Sequence, residues 1–462
     1  MTAEIRPDAV PRLRDARVVV VGAAKSGLSL ARFLAGAGAR VTLTDAKPAT
    51  ELAPGVGGVA ALGVTMELGG HRDEAFLSAD LIAVSPGVPL SIEPLDRARR
   101  KGVRIVAEVE VASWFLKGTI VGITGSNGKS TTTALAGQIL AHAGLDAVAC
   151  GNLGTPLTEM IEGDRPGRTY VVELSSFQLE GIETFRPHVA VLLNLSPDHQ
   201  DRYPDMAAYY DAKMRLFMNQ TAADHAALSQ DDPEVTARLS AVRARRHFFS
   251  RRGEVENGAF VSGGAIVLRR DGRDRRVLPL ADLPLFGVHN QENVLAAILV
   301  ADLCGVPMPK AADGVRSFRG LPHRLEKVAD RGGVAWFNDS KATNVGATVE
   351  SLRSFPGGVV LILGGKDKGG AFADLVPLIR GRVAHLILIG QARESIHAQI
   401  GAAAPITMAE DLGAAVEAAR RIAPKGGVVL LAPGCASFDQ YSGFEARGDH
   451  FRRLVQSLPD KD

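Results

Sequence analysis

The stretch GITGSNGKST, residues 122–131, gathers three glycines, a lysine and four hydroxyls in the pattern of a phosphate cradle. Backbone N–H groups of Gly125, Ser126, Asn127 and Gly128 can curl around phosphate oxygens, and Lys129 adds a positive charge. Ser130 or Thr131 offers a hydroxyl to Mg2+. The spacing departs from the usual G-x-x-x-x-G-K-[ST]. Counting back five from Gly128 gives Ile123, and Gly122 falls one residue early. The extra residue argues against an ordinary kinase or GTPase loop.

Two acidic clusters follow downstream. VVELSSFQLE places Glu173 at the end of an expected strand, and NLSPDHQDRYP places Asp198 and His199 beyond the next. Carboxyl ends of strands in an open parallel sheet converge on one crevice, so the loop, Glu173 and His199 should meet there. Hard oxygen ligands with one imidazole suit Mg2+ and phosphate better than Zn2+. His199 alone would read as a loop histidine; its neighbours make it a site residue. Lys213, in the helical pattern DMAAYYDAKMRLFMN (205–219), reads from spacing as a lysine that snorkels to the surface.

Another glycine turn, GAAKSG (22–27), follows the first expected strand. Gly22 and Gly27 fit a dinucleotide fingerprint and Asp45 ends the second strand, but Ala24 replaces the middle glycine that lets a pyrophosphate approach. An NAD oxidoreductase is therefore disfavoured, while a nucleotide diphosphate at a helix N-terminus stays open beside a plain tight turn. Near the C-terminus, NDSKATN (338–344), GGKDKGGAF (364–372) and CASFDQYSGFEARG (435–448) each end an expected strand. Their lysines and hydroxyls could hold an anionic small molecule, with Tyr441 or Phe444 covering its methylene groups.

The elements that position these loops alternate β-branched runs with helical stretches, which predicts α/β folding on mostly parallel sheets with right-handed crossovers. Strands are expected at 16–22, 39–45, 81–85 and 103–108, then 118–125, 169–175 and 188–196, then 334–340, 357–365, 383–390 and 426–434. Helices are expected at 26–38, from about 129, and at 290–305. The Arg-rich region near 231–280 reads as a small antiparallel excursion. Three domains result, over 1–117 (Rossmann-like), 118–320 (built around the phosphate loop) and 321–462 (Rossmann-like). The 462 residues are enough for three cores. With 53 Lys plus Arg against 51 Asp plus Glu, the net charge of +2 gives no reason for a nucleic-acid or membrane partner. Three scattered cysteines make no disulfide framework. Without a signal peptide or a long apolar run, the expected location is the cytoplasm.

GITGSNGKST, ELSSFQLE, NLSPDHQDRYP, HNQENVLAA, GLPHR, NDSKATN and CASFDQY together resemble, in order along nearly the whole chain, the Mur ligases of bacterial cell-wall synthesis. The family's own loop is T-G-[ST]-N-G-K-[ST]-T, which accounts for the extra residue. The resemblance implies an ATP-dependent amide ligase in peptidoglycan synthesis, working through an acyl phosphate as a monomer. NDSKATN and CASFDQY are similar to the member that adds D-glutamate to UDP-N-acetylmuramoyl-L-alanine; the L-alanine-adding relative is the alternative.

By the same resemblance, Ser26, Asp45, Ser85 and Asn152 contact the UDP substrate, and Gly125 through Thr131 hold the ATP phosphates. Asn290 and Asn293 reach the adenine side, and Arg324 meets the nucleotide. Ser130, Glu173, His199 and a CO2-derived carbamate on Lys213 hold Mg2+, as two ions. That carbamate replaces the snorkelling reading of Lys213. Asp339 and Lys341 join Lys129, Glu173, His199 and Lys213 in catalysis, closing over ATP and the acyl intermediate. Thr343, Lys368, Ser437 and Phe444 hold D-glutamate.

Overall fold

The computed structural model describes residues 11–52, 55–199, 202–367 and 369–459. Among these residues the strands form three sheets. The first contains β1 (Arg17–Val21), β2 (Arg40–Asp45), β3 (Thr65–Leu68), β4 (Leu81–Val84) and β5 (Arg104–Ala107), in the order β3-β2-β1-β4-β5. All its pairs are parallel. The run Val18–Val21 is buried on both faces, as a central parallel strand requires. The order reverses between β1 and β4, so the Gly22 turn lies at the switch point where ligands bind in such sheets.

The second sheet comprises β6 (Thr119–Thr124), β7 (Ala147–Gly151), β8 (Thr169–Glu173), β9 (Val189–Leu192), β10 (His225–Ser229), β11 (Arg245–Ser250), β12 (Gly258–Ser262), β13 (Ala265–Arg270) and β14 (Arg273–Pro279). Its order is β14-β13-β12-β11-β10-β9-β6-β8-β7. Strand β6 is flanked by β8 and β9, so the loops after all three open at one edge. The expected antiparallel excursion is only partly present. Strands β12 to β14 are antiparallel, but β11 pairs in parallel with both β10 and β12 and so extends the main sheet. The arginines misled because Arg245 and Arg246 sit exposed at the start of β11, while His247, Phe249 and Ser250 are buried.

The third sheet holds β15 (Glu326–Arg331), β16 (Val334–Asn338), β17 (Val359–Gly364), β18 (Val383–Ile389), β19 (Ile406–Met408) and β20 (Val428–Leu431). The order is β15-β16-β20-β17-β18-β19, with only β15 antiparallel to its neighbour. The α/β class with mostly parallel sheets is thus as expected.

Contacts divide the chain into two compact units, Met1–Leu283 with Gln291–Phe318, and Pro284–Asn290 with Arg319–Asp462. The first two sheets share the first unit. The helix Glu108–Ser113, which follows β5, fastens them. Its Glu110 carboxylate accepts backbone N–H groups of Glu183, Thr184 and Phe185 at 2.8–2.9 Å and Trp114 Nε1 at 2.9 Å. Glu108 Oε1 accepts from Thr158 N at 2.8 Å, and Ser29 and Thr158 share a hydroxyl hydrogen bond of 2.8 Å.

Candidate active site

Strand β6 runs into a loop whose shape depends on two glycines. Gly125 has φ +153° and Gly128 has φ +83°, both costly for a residue with a side chain. A Cβ on Gly128 would lie 2.3 Å from Asn293 Oδ1, and one on Gly125 would lie 2.9 Å from Leu193 Cβ. The helix Lys129–His142 then begins without a side-chain cap, leaving its first N–H groups for an anion. Lys129 Nζ folds back to donate to Gly125 O and Ser126 O, each at 2.8 Å.

Asn194 and Ser196, beyond β9, brace the loop from below. Asn194 Oδ1 accepts Asn127 N at 2.8 Å, Asn194 O accepts Ser126 N at 3.0 Å, and Ser126 Oγ donates to Ser196 O at 2.8 Å. Thr132 Oγ1 donates to Asn293 Oδ1 at 3.1 Å. Asn293 thus supports the phosphate loop itself. Asn290 belongs to the second unit, where its amide donates to Phe286 O at 2.6 Å.

Glu173 ends β8 and is buried. Its Oε1 accepts Asn152 Nδ2 at 2.8 Å, whereas Oε2 has no hydrogen-bond partner. A buried, orphaned carboxylate oxygen at this edge fits a hard cation. Among the described residues no three His, Cys, Asp or Glu side chains form a metal cage. One or two carboxylates completed by phosphate oxygens and water are the usual Mg2+ arrangement. His199 adopts φ +52° with its N–H on Asp198 Oδ1 at 2.9 Å, and its ring lies 4.8 Å from Phe177 and 5.9 Å from Tyr209.

Lys213 does not snorkel. It is 1% exposed, Nζ donates to Gly125 O at 2.9 Å, and it stands 4.6 Å from the Tyr209 ring centroid. Burial, then the charge of Lys129, hold its pKa well below the ordinary lysine range. The lysine on the helix Met206–Met214 points inward because Tyr209, Tyr210 and Ala212 around it pack into the core.

At the first sheet, Asp45 closes the turn from beneath. Its Oδ2 accepts Ala23 N at 2.7 Å and its Oδ1 accepts Lys47 N at 2.9 Å. Ser85 is buried and donates to Gly22 O at 3.0 Å. Both side chains shape the turn, and Ser26 stands half-buried at the start of the helix Lys25–Gly36.

In the second unit, Asp339 follows β16, with its N–H on Leu431 O at 2.8 Å and its carboxylate accepting Ser351 Oγ. Burial raises its pKa, against Ser351 and the nearby Arg324. Lys341 Nζ stands 4.0 Å over the Phe444 ring. Thr343 N donates to Lys341 O at 2.8 Å, and Ser437 is buried where its carbonyl accepts Tyr441 N at 2.8 Å. Lys368 lies outside the described residues.

Sequence reasoning missed Asn194 and Ser196, although both stand inside the quoted NLSPDH motif. It also missed Ser351, Glu108, Glu110 and Arg447. Buried, these carry no local signal beyond their polar type.

Three family models cover most of the chain. They are "Mur ligase MurD-like, N-terminal domain" over residues 16–107, "Mur ligase middle domain" over 123–301, and "Mur ligase, glutamate ligase domain" over 323–435. A curated relative named UDP-N-acetylmuramoylalanine–D-glutamate ligase from Geotalea uraniireducens is 47% identical, covering 97% of this chain and 99% of its own. One of the same name from Anaeromyxobacter dehalogenans is 48% identical, with coverage of 97% and 99%. Among solved structures, a pseudomurein peptide ligase type C from Methanothermus fervidus is similar in fold, with TM-score 0.59, 18% identity, and coverage of 96% and 100%. UDP-N-acetylmuramate–alanine ligase MurC from Thermotoga maritima gives TM-score 0.58 at 18% identity, covering 96% of this chain and 99% of its own. This chain belongs to the Mur ligase family.

Proposed function

We propose that this chain is an ATP-dependent amide ligase that joins D-glutamate to UDP-N-acetylmuramoyl-L-alanine in peptidoglycan precursor synthesis. Full-length relatives at 45–48% identity carry that ligase name, and members of the family use ATP and Mg2+. The observation that carries the chemistry is the uncapped helix behind Gly128, with Lys129 folded over the loop and the orphaned Glu173 oxygen in the same unit.

The γ-phosphoryl of ATP passes to the carboxylate of the UDP substrate, giving an acyl phosphate and ADP. The amine of D-glutamate attacks the acyl carbon, and phosphate leaves as the amide forms. Mg2+, when bound, would supply positive charge against the phosphoryl oxygens. The N–H groups from Gly125 to Thr131 orient the phosphates, and Lys129 lowers the repulsion between two anions. Asn152 holds Glu173 Oε1 at 2.8 Å, which leaves Oε2 as the oxygen that would accept a cation.

Finer assignments belong to the same reading. Ser130, Glu173, His199 and Lys213 as a carbamate would hold two Mg2+ ions, and the lowered pKa of Lys213 favours the neutral amine that CO2 requires. Asn290 and Asn293 serve the adenine side. Arg324, Asp339 and Lys341 serve ATP and the acyl intermediate. Ser26, Asp45, Ser85 and Asn152 serve the UDP substrate, with Asp45 and Ser85 acting by shaping the turn. Thr343, Lys368, Ser437 and Phe444 hold D-glutamate. Residues 1–117, 118–320 and 321–462 are the UDP-substrate, ATP and amino-acid domains of a cytoplasmic monomer. Among the described residues no helix is long and apolar enough to cross a membrane.

The test is phosphate release from ATP and UDP-N-acetylmuramoyl-L-alanine, with D-glutamate, L-glutamate, L-alanine or meso-diaminopimelate supplied singly. Release with D-glutamate alone is expected. Release with another amino acid would retain the ligase and reassign its substrate.

A further inference from the structure

Arg447 is a buried cation that the mechanism above leaves unused. It lies in the first turn of the helix Phe444–Gln456 with 1% exposure. Nε donates to Ser340 Oγ at 3.0 Å, Nη2 to Ser340 O at 3.0 Å and Cys435 O at 3.1 Å, and Nη1 to Ala436 O at 3.4 Å. All four acceptors are formally neutral, and among the described residues no carboxylate stands within ion-pair distance of the guanidinium. Burial pushes its pKa down to about 10, which still leaves it charged at neutral pH. A buried charge held by neutral acceptors, with the Asp439 carboxylate acting on it only from beyond ion-pair distance, is costly, and its neutral bonds alone do not require one.

Its neighbours suggest what the charge is for. Ser340 precedes Lys341 and passes the network on, its Oγ donating to Phe444 O at 2.8 Å. Cys435 and Ala436 precede Ser437. A Cβ on Gly365 would stand 3.1 Å from Nη1, so the loop after β17 also closes over the guanidinium. Three strand-end loops therefore share one buried cation, and Thr343, Ser437 and Phe444 stand on or beside them.

We propose that Arg447 is a positioning residue for the amino-acid substrate: it locks these loops together and lends them a fixed positive field that favours a dicarboxylate. The inference rests on the D-glutamate reading. A neutral amino acid would gain nothing from the field and a cationic one would be repelled, so the charge selects by substrate class.

Steady-state kinetics of Arg447→Lys and Arg447→Gln in the full-length chain test this, with the KM of each substrate measured separately. The KM for D-glutamate should rise in the order wild type, Lys, Gln, reaching about tenfold or more in the glutamine variant. The KM values for ATP and the UDP substrate should stay within about twofold. Unchanged D-glutamate KM in both variants overturns the proposal, as does a joint rise of all three KM values with a fall in Tm. If the glutamine variant does not fold, the lysine variant decides by the presence or absence of a selective rise. A wild-type chain without D-glutamate-dependent phosphate release would fail the functional reading instead.

Discussion

Lys213 and Lys129 donate to the same carbonyl oxygen, that of Gly125, at 2.9 and 2.8 Å. Burial presses Lys213 to lose its proton, and the positive charge of Lys129 on the same acceptor adds to that pressure. On the proposed function the repulsion would be relieved by anions, phosphate at Lys129 and a carbamate at Lys213.

Lys213→Met should therefore separate stability from activity. The unfolded lysine binds a proton below about pH 10.4, while the buried one does so only well below that. Stability is thus lost as pH falls from that value toward the folded pKa, and at neutral pH the lysine is a burden. The unliganded methionine variant should be more stable than wild type by about 1–3 kcal/mol, read by denaturant unfolding at pH 7. Its ligase rate should fall about 100-fold or more. A destabilised variant would show that Lys213 is satisfied as an ammonium.

On the proposed mechanism Lys129→Ala would remove the positive charge beside the transferring phosphoryl group and should lower kcat by about 1,000-fold or more. Single-turnover phosphate release measures it. A rate within about tenfold of wild type would remove the role given to this lysine.

Gly128→Ala places a methyl 2.3 Å from Asn293 Oδ1 at φ +83°, so both strain and collision act. Gly144 has φ +95° and no atom within 4 Å of its would-be Cβ, so Gly144→Ala reports strain alone. The Gly144 variant should lose about 1 kcal/mol of stability and bind ADP normally. The Gly128 variant should also weaken ADP binding by about tenfold or more, as seen by calorimetry.

Much of this arrangement was legible because the chemistry sits where strands end, and strand ends are marked by glycine and by the limits of β-branched runs. The loop at 125–131, Glu173 and His199 follow from that rule. Lys213 did not, since a lysine among aromatic residues reads equally as a snorkelling or a buried group until the packing of Tyr209 is known. Arg447 was hidden more completely. FEARGDHF has the charge density of a solvated helix face, and only the closure of three distant loops buries its arginine. Strand β11 reads from the sequence as part of an antiparallel excursion because alternation along its region marks a strand but not the direction of its partners, which are parallel.

Glu108 gives a pH signature. Burial raises its carboxyl from 4.5 to about 7, against the Thr158 N–H that moderates the rise. Between those values the folded chain holds a proton that the unfolded chain has released, so stability falls as pH rises through that window. The loss is complete above pH 7 and amounts to at most about 3 kcal/mol. Glu108→Gln should flatten the Tm profile between about pH 5 and 8 and melt higher than wild type at pH 8. Parallel profiles for the two proteins would show that the carboxyl titrates normally.

The clamp at Glu110 bears on how such an enzyme can be cut and rejoined. One carboxylate gathers three consecutive backbone N–H groups of the middle sheet's flank and an indole from its own helix. A chimera with its junction after β5 but before Glu108 takes the helix and residues 183–185 from one parent, whereas a junction just beyond Ser113 sets a foreign Glu110 against those N–H groups. Exchange of the leading segment between relatives should therefore succeed best when the crossover falls before Glu108, so that clamp and partner chain are chosen together.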